Sequence, residues 1–542
     1  MSNSSVHSGR PADARYDAMV VGAGFAGLYA LYRLRKLGFS ARALEANADV
    51  GGVWYSNRYP GAHCDVESFD YAFSFSPELE QDWTWSKRFA PQSEILAYLQ
   101  HVADRFDLRR DIEFETRVTK AAYSKSDRHW SVETNSGQRF EARFLVMASG
   151  SLSVPIIPAI EGLDSFSGQL LFTSSWPHEN VELEGKRVGV LGTGSSGIQV
   201  IPELAKVAGH LSVFQRTPAF SIPAKNKLHS AEEIVEIKAN YAERRQVAKS
   251  SFTGMTWQPH AQSAMDVSEV ERTATYEEFW NSGANLIHSF PDLLTNRQSN
   301  NTAADFARSK VREILKDPEL SQKMTSMTYP IGAKRVCRDT DYYETFLRDN
   351  VSLVDLKEAP IERITERGVK TKDGEHELDV LVLATGFDAL TGAVLAMDVS
   401  GQDNVPLRQR WADGPTTYLG IMTAQFPNLF LITGPGSPSV LSNMVMSIEQ
   451  HVEWATDLMV WMRDRNYGVV VPLAQAETDW VAHLNEIADR TLYPLAQSWY
   501  VGANKSGKPR VFMPYVGGVG NYRAKCDAEA EGGYPNFEFA GA

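Results

Sequence analysis

The sequence predicts an α/β fold with two Rossmann-like dinucleotide-binding domains and a helical insertion, and three observations support this. Near the start of the 542-residue chain, a short apolar strand is followed by a glycine-rich turn and an apolar helix. The same order of strand, turn and helix returns after residue 185. Between this second unit and a later group of strands, the pattern changes to helix-capping signals. A glycine turn between a strand and a helix is how such folds bind nucleotide phosphates.

The first unit places a strand at residues 17–21 and the turn Gly22-Ala23-Gly24-Phe25-Ala26-Gly27 directly after it. The first glycine allows the tight turn, the second lets a pyrophosphate approach the backbone, and the third lets helix and strand pack closely. The next strand ends at Glu45, eighteen residues after Gly27. A carboxylate there can accept hydrogen bonds from a ribose diol. We therefore expect a dinucleotide with free ribose hydroxyls at this site.

A loop at residues 50–71 continues the first site. Glycine, proline and aromatic residues cluster in it, together with the acid Asp65. This composition is typical of a loop that lines a flat ring ligand, and a packed loop without a ligand is the alternative. From this segment we expect contacts to the ring ligand from Val53, Trp54, Asp65 and Tyr71.

The second unit repeats the arrangement, with a strand at residues 186–191 and the turn Gly192-Thr193-Gly194-Ser195-Ser196-Gly197. The strand that follows ends in Gln215, where the first unit has Glu45, and Arg216-Thr217 come next. Loss of the acid and gain of an arginine is what a ribose 2′-phosphate requires. The second site is therefore expected to prefer NADPH, the alternative being a surface arginine at a strand end.

Capping signals and returning strands divide the rest of the chain. Ser230-x-x-Glu233 and Ser268-x-x-Glu271 have the spacing of a capping box, and Thr302-x-x-Asp305 is a looser cap. Strand patterns return at residues 351–354 and 378–383. We therefore expect five segments: residues 1–150 and 389–542 form the first nucleotide domain, 151–225 and 331–388 form the second, and 226–330 form the helical insertion.

Composition excludes several classes of protein. A net charge of −13 and the lack of a lysine/arginine run argue against nucleic-acid binding. The apolar run at residues 18–34 is short and broken by glycines, so we expect no membrane span. Three cysteines that form no close pair fit a reducing cytoplasm. We expect no metal site, and a monomer or weak oligomer.

Two dinucleotide sites in one chain, one of them suited to NADPH, suggest hydride transfer to a bound flavin. The reduced flavin could pass its electrons on or react with oxygen. A dithiol route is excluded because Cys64, Cys337 and Cys526 are far apart in the sequence and form no CxxC pair. A reductase that uses an external acceptor stays open as an alternative.

The chain resembles the Baeyer–Villiger monooxygenases over nearly its whole length. The resemblance rests on the two glycine turns, on Ala384-Thr-Gly386 and on the segment Phe166-x-Gly168…Trp176-Pro177. The family's version of that last segment has a histidine at the position of Phe172. This departure bears on the coupling of NADP-domain movement to the flavin site rather than on the reaction class. Four segments are similar to the phenylacetone and steroid monooxygenase branch: Arg58-Tyr-Pro-Gly61, Lys334-Arg335, Gly434-Pro-Gly-Ser-Pro-Ser439 and Ser498-Trp-Tyr-x-Gly-Ala-Asn504.

The resemblance implies that the first domain binds FAD and the second NADP. NADPH would reduce FAD, and a flavin peroxide held near Arg335 would insert oxygen beside a ketone carbonyl to give an ester or lactone. Arg335 matches the family's catalytic arginine, which also lies near NADP, and Asp65 matches the acid that positions it. Lys334 should join Arg216 at the 2′-phosphate, and Trp499 matches a position near the nicotinamide. The residues that match the substrate pocket are Ser439, Val440, Leu441 and Met444, the last also beside the flavin.

Two other functions are compatible with the same fold. The first is an N- or S-oxygenating flavin monooxygenase, which should lack the pair formed by Asp65 and Arg335. The second is a flavin-dependent NADPH oxidase or reductase. The replacement at Phe172 favours this second alternative slightly, because poor coupling yields hydrogen peroxide.

Overall fold

The computed structural model describes residues 15–257 and 259–541. In chain order its strands are β1 (Arg15–Val21), β2 (Ala41–Leu44), β3 (Ile112–Glu113), β4 (Val118–Ser124), β5 (His129–Thr134), β6 (Arg139–Met147), β7 (Gln169–Phe172), β8 (Arg187–Leu191), β9 (His210–Gln215), β10 (Ser221–Pro223), β11 (Cys337–Asp339), β12 (Val351–Asp355), β13 (Ile361–Thr365), β14 (Gly368–Thr371), β15 (Gly374–Glu377), β16 (Val380–Leu383), β17 (Asp398–Ser400), β18 (Leu429–Leu431), β19 (Tyr467–Pro472) and β20 (Phe537–Gly541).

The α-helices are α1 (Phe25–Lys36), α2 (Val53–Ser56), α3 (Pro77–Asp82), α4 (Gln92–Arg105), α5 (Ser195–Val207), α6 (Ala231–Ala239), α7 (Tyr241–Ser250), α8 (Glu269–Ser282), α9 (Arg297–Leu315), α10 (Pro318–Thr325), α11 (Tyr342–Thr345), α12 (Gly392–Leu395), α13 (Leu407–Arg410), α14 (Met444–Asp464), α15 (Ala474–Asp489) and α16 (Val519–Glu531). Within the described ranges, no helix combines the length and the apolar character needed to cross a membrane.

The first large sheet has eight strands in the order β17-β4-β5-β6-β1-β2-β3, with β18 also paired to β6. Its centre is parallel, because β1 pairs with β2 on one side and with β6 on the other. Residues 18–21 of β1 are buried, as expected for an apolar strand covered on both faces. Helix α1 packs against α14. The first nucleotide unit therefore combines strands from the early chain with β17 and β18 from the late chain.

The second large sheet has five strands in the order β12-β9-β8-β16-β7, and all four pairings are parallel. Helix α5 packs on β8 and β9. Parallel strands need crossover connections, and these bring the carboxyl ends of the strands to one edge of the sheet. The turn after β8 and the loops after β9, β12 and β16 therefore lie near one another.

Helices α6 to α10 lie in the chain between β10 and β11, which pair in parallel with Ser221 opposite Cys337. Ser230 forms the predicted capping box at the start of α6. The predicted cap at Thr302 is wrong. Helix α9 begins earlier, where the side chain of Asn296 accepts the first free backbone N–H groups, and Thr302 lies inside the helix. Asparagine is a stronger N-cap than threonine, so the earlier residue determines where the helix starts.

Candidate functional site

Both nucleotide turns begin with a glycine in the left-handed region, Gly22 at φ 103° and Gly192 at φ 114°. A Cβ on Gly22 would lie 2.6 Å from the carbonyl oxygen of Ala148, so no other residue fits there without strain. Around Gly194 the space is open, because no heavy atom lies within 4 Å of the place its Cβ would occupy. This opening at the N-terminus of α5 lets a phosphate approach free backbone N–H groups.

The other residues of the second turn differ in exposure. Ser195 is exposed and Ser196 is half-buried. The Ser195 hydroxyl lies 3.2 Å from the Sγ of Cys337. The buried Thr193 hydroxyl donates to the carbonyl oxygen of Thr217 at 3.3 Å. This last bond ties the turn to the end of β9, where the 2′-phosphate contacts are expected.

Glu45 lies directly after β2 and is 4% exposed. Its carboxylate accepts hydrogen bonds from the backbone N–H groups of Ala23 at 2.7 Å and Asn47 at 2.8 Å. Burial raises the pKa of Glu45, because the charged form is separated from water. The acid therefore fixes the shape of the first glycine turn. A ribose diol at this place would share carboxylate oxygens that are already hydrogen-bonded.

The aromatic residues of the first site are in contact. The indole Nε1 of Trp54 donates to the Tyr71 hydroxyl at 3.2 Å. The ring of Phe25, in the glycine turn, lies 5.2 Å from the ring of Tyr71 in an edge-on arrangement. Val53 begins α2 beside Trp54. The turn and the following loop therefore form one continuous aromatic surface, which suits a flat ring ligand.

Three cations gather at the end of β9. Burial, followed by the positive charges of Arg216 and Lys357, lowers the pKa of Lys334, so both cations act on the same ammonium group. Lys357 could not be recognised from the sequence, because it reaches this strand end through the parallel pairing of β12 with β9, in which Asp355 lies opposite Gln215. The side chain of Gln215 instead donates to the carbonyl oxygen of Lys323 at 3.4 Å. A cluster of three cations suits a phosphate.

Asp65 and Arg335 form a bidentate ion pair between the loop of the first unit and the segment before β11. The Nε of Arg335 donates to Oδ2 at 2.9 Å, and its Nη2 donates to Oδ1 at 2.5 Å. Its Nη1 donates to the carbonyl oxygen of Val440 at 3.0 Å. Burial disfavours the charged form of Asp65, but the Arg335 charge outweighs this effect and lowers the pKa of the carboxyl. The Arg335 side chain is 33% exposed, so this fixed cation faces open space.

Arg338 is a second arginine of this region that sequence analysis missed. It is 5% exposed, and its Nε donates to the backbone oxygen of Asp65 at 2.9 Å. Its Nη1 donates to the carbonyl oxygen of Gly283 in the insertion. The guanidinium lies 4.4 Å from the ring centroid of Phe89 and 5.3 Å from that of Trp257. Burial lowers the pKa of Arg338 to about 10.

The segment that carries Trp499 docks on the end of β16. The amide of Asn504 donates to the carbonyl oxygen of Phe387 at 2.7 Å, and the ammonium of Lys508 pairs with Asp388 at 2.7 Å. The Trp499 ring lies 4.3 Å from the ring of Tyr500. These bonds hold the segment against the joint where the chain leaves the second nucleotide unit.

Of the four residues expected in the substrate pocket, Leu441 lines a pocket in this structure. Ser439 and Val440 are buried, and Val440 presents its carbonyl oxygen to Arg335. Met444 begins α14, and its sulfur lies 4.0 Å from the Ser439 hydroxyl. The pocket that contains Leu441 is also lined by Phe252, Thr253, His288, Leu294 and Pro438. Four of these, all except Pro438, come from the helical insertion, which the sequence had not connected with the pocket.

Phe172 ends β7 and pairs in register with Leu383 at the end of β16. Its half-buried ring packs against the apolar cluster on one face of the second sheet. Phe172 therefore contributes packing beside Ala384-Thr-Gly386 and no polar side-chain group.

Comparisons with known proteins define the family. A sequence profile described as "Pyridine nucleotide-disulphide oxidoreductase" matches residues 19–259. Only Cys64 of the three cysteines falls in this range. The match therefore reflects the nucleotide-binding fold and not a redox dithiol.

Proteins that are similar over nearly the full length show which family of flavin enzymes the chain belongs to. A Baeyer–Villiger monooxygenase from Pseudooceanicola batsensis is 42% identical over 526 residues, which cover 96% of each chain. The phenazine N-monooxygenase PhzNO1 from Lysobacter antibioticus is also 42% identical and also covers 96% of each chain. A solved structure of an oxidised steroid monooxygenase bound to NADP is 49% identical, with a TM-score of 0.94, over 98% of this chain and 100% of that chain. This chain belongs to the Baeyer–Villiger monooxygenase family of flavin-dependent oxidoreductases.

Proposed function

We propose that this chain uses FAD, NADPH and O2 to insert one oxygen atom beside the carbonyl of a small-molecule ketone, which gives an ester or lactone. The observation that carries the proposal is the bidentate ion pair between Asp65 and Arg335. Negative charge develops on the ketone oxygen as the new bond to oxygen forms. A fixed cation beside a pocket stabilises that charge.

The residues present fit both cofactors. The aromatic surface around Tyr71 suits a flavin ring, and Glu45 with the first glycine turn suits the rest of FAD. The open turn at Gly194 and the cations Arg216 and Lys334 suit the phosphates of NADPH. When bound, NADPH supplies a hydride to FAD, and the reduced FAD activates O2.

Arg335 stays cationic throughout, because a guanidinium does not deprotonate in proteins. Its two bonds to Asp65 and its third to the Val440 carbonyl hold it in one orientation. Such preorganisation avoids reorienting charge when the ketone oxygen becomes negative. Asp65 is therefore assigned a positioning role, and Arg335 the electrostatic role in the reaction.

The test is an assay of the purified flavoprotein with NADPH in air and a panel of ketones, namely phenylacetone, cyclohexanone, a long-chain ketone and a steroid ketone. We expect ketone-stimulated NADPH consumption and an ester, detected by mass spectrometry, with one oxygen atom from isotopically labelled O2. If NADPH loss is matched by hydrogen peroxide and no ketone gives an ester, the proposal fails and the oxidase alternative is favoured.

A second candidate function is N-oxidation of an aromatic nitrogen heterocycle, and the similarity to a phenazine N-monooxygenase favours it. The same pocket and cofactors would serve this reaction, but it does not need a cation at a ketone oxygen. Phenazine should therefore be included in the panel. An N-oxide formed faster than any ester would replace the first proposal with this one.

A cytoplasmic location and a monomer or weak oligomer complete the proposal. The three cysteines, Cys64, Cys337 and Cys526, are free and buried, which supports a reducing compartment. Fractionation of the source cells and the mass measured by light scattering would test these two points.

A further inference from the structure

The pocket beside Leu441 has polar groups that the proposed reaction does not use. Its wall includes the imidazole of His288 and the hydroxyl-bearing residues Thr253, Tyr493 and Tyr515. Apolar side chains make up most of the remaining wall, among them Phe252, Leu294 and Val516. A pocket of this composition binds a largely apolar ligand and fixes its orientation through a few polar contacts.

His288 is the most informative of these groups. Its half-buried ring lines the pocket, and among residues 15–257 and 259–541 neither ring nitrogen forms a hydrogen bond. It lies in a short 3-10 turn, Leu286–His288, whose other two residues are buried in the apolar core of the insertion. The backbone of the turn is held by a bond from the His288 N–H to the Asn285 carbonyl oxygen at 2.9 Å. The imidazole is therefore positioned by a rigid element and left without a partner.

Burial and two nearby positive charges determine the protonation state of His288. Burial, followed by the positive charges of Arg338 and Arg335, lowers the pKa of His288 to about 4. The ring is therefore neutral near neutral pH, with one nitrogen as donor and the other as acceptor. A neutral donor and acceptor in the pocket wall with Leu441 suits an oxygen atom of the substrate.

We propose that His288 is a specificity-determining residue, which hydrogen-bonds a second oxygen function on the ketone substrate, away from the carbonyl that reacts. This inference rests on the proposed function and narrows its substrate class. The preferred substrates are ketones that carry a remote hydroxyl or carbonyl group. A purely hydrocarbon ketone of the same shape would leave His288 desolvated and unpaired, and that is costly.

A pair of matched ketones tests this inference. 4-(4-Hydroxyphenyl)butan-2-one carries a remote hydroxyl, and 4-phenylbutan-2-one lacks it. We expect the wild-type protein to prefer the hydroxylated ketone by about tenfold in kcat/KM for ester formation. In His288→Leu this ratio should fall to about one, and His288→Gln, which keeps a donor and an acceptor, should retain most of it.

Two controls separate failure of folding from failure of the idea. His288→Met provides a second apolar replacement if His288→Leu does not retain FAD. His210→Leu changes an exposed histidine at the start of β9, whose Nε2 lies 3.0 Å from the Ser352 hydroxyl, and should keep the wild-type ratio. A wild-type ratio near one, or an unchanged ratio in both apolar variants, would overturn the inference.

A binding measurement separates this inference from the proposed function. Calorimetric titration of the oxidised protein with each ketone, without NADPH, reads the preference in the absence of turnover. If no ketone yields an ester, the proposed function fails, and the titration still reports on His288. If esters form and the titration shows no preference for the hydroxylated ketone, only the inference about His288 fails.

Discussion

Arg338 donates a hydrogen bond from its Nε to the backbone oxygen of Asp65 at 2.9 Å, while the carboxylate of Asp65 binds Arg335. One buried arginine therefore supports the acid that orients another. Within the described part of the chain, Arg338 forms no ion pair with a carboxylate, and backbone oxygens and two aromatic rings surround it. Burying a cation without a carboxylate partner is costly, so Arg338 does not serve mainly to stabilise the fold.

We expect Arg338→Met to reduce ester formation about ten- to a hundredfold, because Asp65 and Arg335 lose their fixed geometry. The Arg338 charge also helps to lower the pKa of Asp65. Its removal should move the acid limb of the pH–rate profile to higher pH. Arg338→Lys keeps the charge, so it should leave that limb in place even if the rate falls. An unmoved limb in a folded Arg338→Met protein would contradict the positioning role.

Arg335→Ala should leave flavin reduction by NADPH intact and abolish ester formation, because the negative ketone oxygen loses its stabilising cation. Rapid-mixing absorbance measures the reduction step, and product analysis by mass spectrometry measures the ester. Asp65→Asn should weaken ester formation less, since the cation remains but is less well oriented. A normal ester yield from Arg335→Ala would refute the assigned role.

Lys357→Ala should weaken NADPH binding about fivefold, or about 1 kcal/mol, because one of three cations at the expected 2′-phosphate position is lost. Binding of NADH, which lacks that phosphate, should not change. KM values for both nucleotides provide the comparison. Lys372→Ala, in the exposed turn between β14 and β15, is the matched control. Equal effects on NADPH and NADH would exclude a phosphate contact.

Asp339 should make stability depend on pH. Burial raises the pKa of Asp339 to about 6, and its Oδ2 has no hydrogen-bond partner in the described structure. The unfolded chain, with a pKa of about 3.9, therefore loses the proton first as pH rises. Stability should fall between about pH 4 and pH 6 and then stay level.

Asp339→Asn should remove this fall and raise stability at about pH 7 by roughly 3 kcal/mol. Melting temperatures of both proteins from about pH 4 to pH 8 provide the measurement. The two curves should meet at the acid end and separate above it. Parallel curves would show that this carboxyl does not titrate in the folded state as described.

The parts of the site that the sequence predicted are local in the chain. The turns at Gly22 and Gly192 could be recognised because strand, turn and helix follow one another directly. Arg216 could be proposed as a phosphate contact because it follows a strand at a fixed distance from its turn. The contact between Asp65 and Arg335 was reached only through resemblance, since the two residues are far apart in the sequence.

The residues that could not be recognised from the sequence owe their positions to tertiary structure. Lys357 joins the cation cluster only because β12 lies beside β9, and no local signal indicates that pairing. Arg338 resembles any charged residue in a short strand, and its burial between Phe89 and Trp257 cannot be seen in the sequence. Thr302 has the spacing of a helix cap, but the helix already begins six residues earlier, where Asn296 is the N-cap.

The pairing of Ser221 with Cys337 has a consequence for how this protein can diversify. The chain leaves and re-enters the second nucleotide unit at two adjacent strands, so the two covalent ends of the intervening segment lie side by side. This segment, which contains the helical insertion, contributes Phe252, Thr253 and His288 to the pocket. A recombination event, in nature or in the laboratory, could exchange the whole segment between β10 and β11 for that of a relative. The substrate preference would then be transferred together with this one segment, while both nucleotide turns stay unchanged.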